Sequence, residues 1–288
     1  MVPTYALLAL SVVSLWLGGP PMVPAWRRYL WVGLLAAAAI CGGVAGILRP
    51  VGLLAVTAFT GLAWMYYRAG LSPTVRFAVG LGLLACCAVL MLHRAPGFVN
   101  PRVIDAVRFT NDAQPFSLYL NFDKTLVGLA LIGWGLPRLA AGGEWRSVVR
   151  AVWPVAAVLV VVLLGLSLAM GYVRWAPKFP PETALWLAVN VGFVCLAEEA
   201  LFRGLIQGTL QDLLARFRAG PAVALGVAAL SFGLAHAAGG PAYVALSTVA
   251  GIGYGWIYQR TARIEASIMV HGTVNTVHFL AFTYPALA

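Results

Sequence analysis

Residues 186–206 read WLAVNVGFVCLAEEALFRGLI. An apolar run leads into Glu198 and Glu199, Arg203 follows one helical turn later, and the stretch then returns to apolar residues. A charge at the centre of a membrane helix costs about 2.5–3.5 kcal/mol. Two adjacent acids inside such a run are therefore expected to face a cavity or a protein interior rather than lipid. The alternative, a helix ending near Ala197 with both acids among headgroups, fits poorly with the apolar LFRGLI that follows.

The surroundings fit a membrane setting. Of 288 residues, 61% are hydrophobic and 10% charged, with a mean hydropathy of +0.89. A soluble domain of this length cannot hide so much apolar side chain. About 20 apolar residues span a bilayer core, and the pattern predicts ten helices: 4–19, 29–48, 51–67, 75–92, 125–138, 151–172, 183–205, 221–238, 242–258 and 264–283. The expected fold is an all-α, polytopic transmembrane helical bundle of about ten spans. Its C-terminal four helices, within 181–288, form the expected catalytic core. Residues 1–180 supply further transmembrane helices of unassigned function. They include the long polar loop 93–124, a place for a short interfacial helix. No internal repeat is visible.

The net charge of +10 lies in the loops. That placement fits membrane orientation rather than nucleic acid, so no nucleic-acid partner is expected. Eleven of the nineteen Lys and Arg fall in odd-numbered connections and seven in even ones. This predicts odd loops in the cytoplasm and both termini outside. The N-terminus lacks a basic n-region and a clear cleavage site, and reads as a retained first span. Cys41, Cys86, Cys87 and Cys195 lie in apolar stretches without a CxxC pair and are expected to be buried thiols.

Spacing divides the polar residues by task. Glu199 and Arg203 are i and i+4, share a helix face and are expected to pair. Glu198 is turned about 100° away and has no such partner. The unpaired acid is the one suited to general-base work on a water. In the eighth helix Phe232 and His236 are i and i+4. In the last helix His271 and Asn275 repeat that spacing, and His278 continues the face. A hairpin turning near 217–220 levels Glu198 with His236. His271 and Asn275 reach the same depth only if that hairpin projects further into the cytoplasm.

These residues resemble the CPBP family, which contains the type II CAAX prenyl endopeptidases (Ras-converting enzyme-like) and bacterial bacteriocin-processing or immunity relatives. Its EExxxR motif reads here as Glu198-Glu199-Ala200-Leu201-Phe202-Arg203. FxxxH reads Phe232 to His236, and HxxxN reads His271 to Asn275. The ordered set lies within roughly 183–283. The resemblance implies catalytic roles for Glu198, His236, His271 and Asn275: the first two activate a water, and the last two stabilise the oxyanion. It implies structural support from Glu199, Arg203 and Phe232. It also implies a metal-free glutamate mechanism without cofactor. Zinc on a Glu/His/His set is the less favoured option, and no HExxH helix is present.

The expected function is hydrolysis of a peptide bond in a membrane-associated or hydrophobic peptide or protein, by an intramembrane protease of a bacterial inner membrane. GxSG and GxGD motifs are absent. GIGYG at 251–255, with Ala245, Ser247 and Ala250, reads as small-residue packing. The alternatives are a proton-coupled transporter, which predicts inverted repeats, or a non-catalytic immunity or scaffold protein retaining the fold.

Overall fold

The computed structural model describes residues 1–17, 25–139 and 143–288. Each of the ten apolar runs forms a helix. They are α1 (Val2–Ser14), α3 (Leu30–Val44), α4 (Pro50–Arg68), α5 (Pro73–Met91), α6 (Phe122–Gly135), α7 (Gly143–Ala169), α8 (Thr183–Leu213), α9 (Gly220–Ala235), α10 (Gly240–Thr261) and α11 (Ile264–Ala281). One additional turn, α2 (Ala25–Arg28), precedes α3. The expected end of the first helix at residue 19 lies outside the described residues. Proline marks several starts: Pro50, Pro73, Pro221 and Pro241 occupy first-turn positions, where a missing N–H costs nothing.

The all-α bundle is as expected, but the number of spans is not. Among the described residues, four helices, α4, α5, Glu144–Ala169 of α7 and α8, are long and apolar enough to cross a membrane. A fifth is gained if α9 and α10, bent by 55°, count as one broken span. With 13 and 15 residues, α1 and α3 are short. At 1.5 Å per residue they reach only about 20 Å of a core roughly 30 Å thick. The 14-residue α6 is buried on all sides from Phe122 to Gly133 except at Lys124. It is the axis of the bundle, which explains an apolar pattern without a polar face. Carrying Glu265, His271, Asn275 and His278, α11 is too polar. The outer faces of α5 and α7 expose Phe77, Leu81, Trp153, Val158 and Val161, an apolar exterior suited to lipid.

The long loop differs from expectation. In place of an interfacial helix, β1 (Arg102–Val107) and β2 (Phe116–Tyr119) form an antiparallel pair with two register irregularities. Val103, Ile104 and Val107, β-branched and following Pro101, favour extended backbone. The segment after α11 folds back along this region: Gln114 N–H donates to the Ala286 carbonyl, and Leu287 N–H to the Tyr172 carbonyl. Of the cysteines, all free, Cys87 and Cys195 are buried. Cys41 is half-buried, and Cys86 is exposed on the outer face of α5, contrary to expectation.

Candidate functional site

The two acids sit on an unusual piece of helix. Within α8, the short α-helical piece Leu196–Glu199 lies between π-helical stretches Asn190–Cys195 and Ala200–Gln207. Such i→i+5 turns are rare and concentrate at functional sites. They also displace side chains from the 100° steps assumed for a regular helix. Both acids are buried: Glu198 is 7% exposed and Glu199 is fully covered.

Glu199 has two partners. Its Oε2 lies 3.1 Å from Arg203 Nε, an ion-pair distance without hydrogen-bond alignment. Its Oε1 accepts from His271 Nδ1 at 2.8 Å. The Arg203 guanidinium is fully buried. It donates from Nη2 to the Gly251 carbonyl at 3.1 Å and lies 4.7 Å from the centre of the Phe232 ring and 5.3 Å from that of Tyr254. A guanidinium over aromatic faces gains cation–π attraction where water is excluded. The paired acid therefore also orients a histidine, a task the spacing did not assign.

The depth of His271 follows from the same bonds. Arg203 reaches Gly251, and Gln207 Nε2 donates to the Gly255 carbonyl at 3.0 Å, so α8 and α10 run side by side in parallel. The segments 204–213 and 252–261 beyond this plane are equally long, and no extra projection of the α8–α9 hairpin is needed. Tyr254, seven residues before the end of α10, stacks on His271, seven residues into α11. Their ring centres are 4.5 Å apart and their planes 18° from parallel. Gly251 allows the approach of α9: a Cβ there would lie 3.0 Å from Ala229 Cα, in line with the small-residue packing read for GIGYG.

Glu198 is not unpaired, contrary to expectation. Its Oε1 accepts from Lys124 Nζ at 3.2 Å, a contact across 74 residues of chain. Its other oxygen lies 4.0 Å from His271 Nε2. His236, at the end of α9, has Nδ1 2.7 Å from the Phe232 carbonyl. A carbonyl only accepts, so Nδ1 carries the hydrogen and Nε2 of the neutral ring keeps its lone pair. Phe232 packs 4.7 Å from the His236 ring and edge-on at 5.7 Å to His271. Asn275 Nδ2 donates to Asn190 Oδ1 at 3.1 Å, joining α11 to the first π-helical stretch.

Glu198, His236, His271 and Asn275 line one cavity of about 230 Å³, together with Asn190, Tyr243, Tyr254, His278 and Tyr284. The structure thus brings together the four residues read as catalytic, with Phe232 in the same cavity wall and Glu199 and Arg203 packed behind it. Sequence reasoning missed Lys124, Asn190 and Tyr254. Asn190 lies in the quoted stretch and is polar in an apolar run, the one available signal. At the loop side, Lys178 donates to the Ala176 and Phe282 carbonyls and fastens the segment after α11. Burial pushes its ammonium down to about 8, with Asp112 opposing. Among the described residues, no group of three or more His, Cys, Asp or Glu is arranged to hold a metal ion.

Residues 180–277 match the family model described as type II CAAX prenyl endopeptidase Rce1-like, which bears out the resemblance read from the three motifs over that part of the chain. No curated protein and no solved structure matches the chain.

Proposed function

We propose, taking residues 180–277 as an Rce1-like region, that this protein is an intramembrane endopeptidase. It hydrolyses a peptide bond in a membrane-associated or hydrophobic peptide, by a water that Glu198 and His236 activate. The observation that carries this reading is the convergence of Glu198, His236, His271 and Asn275, from three separate helices, on one cavity. The compact loops fit a bacterial plasma membrane.

The steps use the residues as they stand. A water in the cavity gives a proton to the Glu198 carboxylate, assisted by the free Nε2 lone pair of His236, while its oxygen bonds to the scissile carbonyl carbon. The carbonyl oxygen becomes an oxyanion. The donors for it are His271 Nε2–H, on a ring that carries hydrogens on both nitrogens, and the Asn275 amide, which must turn one N–H from Cys195 Sγ, 3.7 Å away, while the other stays on Asn190. Collapse breaks the C–N bond, and the proton passes to the leaving amine. The products are a new carboxylate and a new amine. Glu199 keeps His271 facing inward by holding its Nδ1–H. No step requires a metal, since a carboxylate and an imidazole supply the base and two side chains supply the donors.

The test is cleavage of a membrane-peptide library by the purified protein. Wild type cleaves, Glu198→Ala and His236→Ala do not, and a chelator changes nothing. Removing a positioned base costs about 10²–10⁴-fold. Wild-type rates in Glu198→Ala would end the general-base assignment, and loss of cleavage on chelation would end the metal-free one.

A further inference from the structure

The carboxylate on which this hydrolysis turns is not held by the Rce1-like region alone. Its nearest cation comes from residue 124, well outside 180–277. We propose that Lys124 is a positioning residue for Glu198: its ammonium binds one carboxylate oxygen from behind, keeps the acid charged inside an apolar wall, and leaves the other oxygen to the cavity. The role rests on the reading of Glu198 as the water-activating base.

Three observations carry it. First, the contact is direct and sheltered: Nζ lies 3.2 Å from Oε1, with the two side chains 16% and 9% exposed. A carboxylate taken out of water is costly unless paired and hydrogen-bonded, and a charged donor is the strongest available partner. Second, Lys124 does not line the cavity, whereas Glu198 does. The ammonium stands behind the base and not in the path of a substrate. Third, the lysine is aimed by two local devices. Gly128, one turn further along the same face of α6, lets that helix close on α8; a Cβ there would lie 3.0 Å from Ala197 Cα and collide with the Leu196 side chain. The preceding residue, Asp123, is 1% exposed and locked. It accepts from Asn100 Nδ2 at 3.0 Å and from the Lys124 N–H at 2.8 Å, and it pairs with His93 Nδ1 at 2.9 Å. The first turn of α6 is thereby clamped to the loop before β1.

Other groups around Glu198 do not replace this one. His271 from α11 is bound through Nδ1 to Glu199 and stands with Nε2 4.0 Å from the other Glu198 oxygen, beyond hydrogen-bond reach, and His236 from α9 is bound to a carbonyl. Tyr243 from α10 is neutral as a phenol. On α8 itself, Arg203 is engaged by Glu199 and Gly251, and Cys195 Sγ–H faces Asn190. Lys124 is the cation in hydrogen-bond contact with the Glu198 carboxylate among the described residues.

The experiment uses the full chain in detergent or nanodiscs, with the variants Lys124→Met, Lys124→Gln and Lys124→Arg. A membrane-permeant carbodiimide activates carboxyls, and an adjacent amine displaces the urea to form an amide. Wild type is expected to yield a Lys124–Glu198 cross-linked peptide by mass spectrometry, and Lys124→Met none. In the peptide assay Lys124→Met and Lys124→Gln lose about ten- to a hundredfold in kcat at nearly unchanged KM, and Lys124→Arg recovers most of it. Absence of the cross-link in folded wild type, or wild-type kcat in a folded Met or Gln variant, overturns the proposal. If Lys124→Met does not fold, Lys124→Gln, which keeps a donor and loses the charge, decides. If wild type cleaves nothing, the endopeptidase reading fails, while the cross-link still decides whether Lys124 holds Glu198.

Discussion

Glu199 holds two partners at once, Arg203 through one oxygen and His271 through the other. Glu199→Gln keeps the shape and removes the charge. It leaves the fully buried Arg203 guanidinium without its counter-ion. Breaking a buried ion pair on one side costs about 3–5 kcal/mol. The expected outcome is a large drop in the unfolding temperature in detergent together with loss of cleavage. Adding Arg203→Met removes the orphaned charge as well. The double variant should regain much of the stability, because no buried charge is then left without its partner, yet stay inactive: an amide oxygen still accepts the His271 Nδ1–H but no longer supplies the negative charge that a His271 ring with both N–H groups needs. Recovery of activity in the double variant would show that the charge on Glu199 is dispensable. At this scale the sequence revealed what lies one turn apart: Glu199 with Arg203, Phe232 with His236, and His271 with Asn275. It could not reveal Lys124 on Glu198 or Tyr254 on His271, because such contacts depend on which helix faces which, and no spacing along the chain records that.

Helix against helix, the crossing of α6 and α8 is the contact that sets the site. Gly128 has no room for a side chain, whereas Gly226 on the exposed side of α9 has nothing within 4 Å of its absent Cβ. Gly128→Val should force α6 away from α8, at an overpacking cost of about 1–3 kcal/mol. It should also reduce cleavage by withdrawing Lys124 from Glu198. Gly226→Ala, a helix-interior change without a clash, should leave activity intact and raise stability by about 0.5–1 kcal/mol. Thermal unfolding and initial rates on the same preparations check both. Equal behaviour of the two variants would remove the argument from close approach. All ten helices were legible, because long apolar runs bounded by Pro, Gly and Arg leave few other options. Two features were not. The β1–β2 pair is short and irregular in register, so its alternation was lost within a polar loop. The π-helical stretches of α8 carry no residue signature of their own, and the calculation that turned Glu198 away from Glu199 assumed a regular helix.

Across the whole molecule, the C-terminal helices carry the motif residues and pair Glu199 with Arg203, but do not satisfy all of their own buried charges. Glu265, 2% exposed in the first turn of α11, accepts from Trp16 Nε1 at 2.7 Å and from the Leu139 N–H at 2.8 Å. Glu198 takes its cation from α6. Gly204 and Gly253 receive the side chains of Leu136 and Leu159, where a Cβ would collide. Each of these partners lies before residue 180. A fragment 181–288 would therefore hold two carboxylates stripped of their hydrogen-bond donors in an apolar setting, each costing several kcal/mol, and a groove on α8 where α6 had been. A domain holds only about 5–15 kcal/mol of net stability, too little to absorb both losses. The fragment expressed alone should aggregate or be degraded and show no cleavage. Co-expressed with 1–180 as a separate chain, it should co-purify and recover activity, because the contacts between the halves, backbone and side-chain alike, do not need the covalent link. Size-exclusion chromatography and the peptide assay read both outcomes. A monodisperse, active 181–288 fragment would mean that the first 180 residues only accompany the site, and that the buried carboxylates find other partners without them.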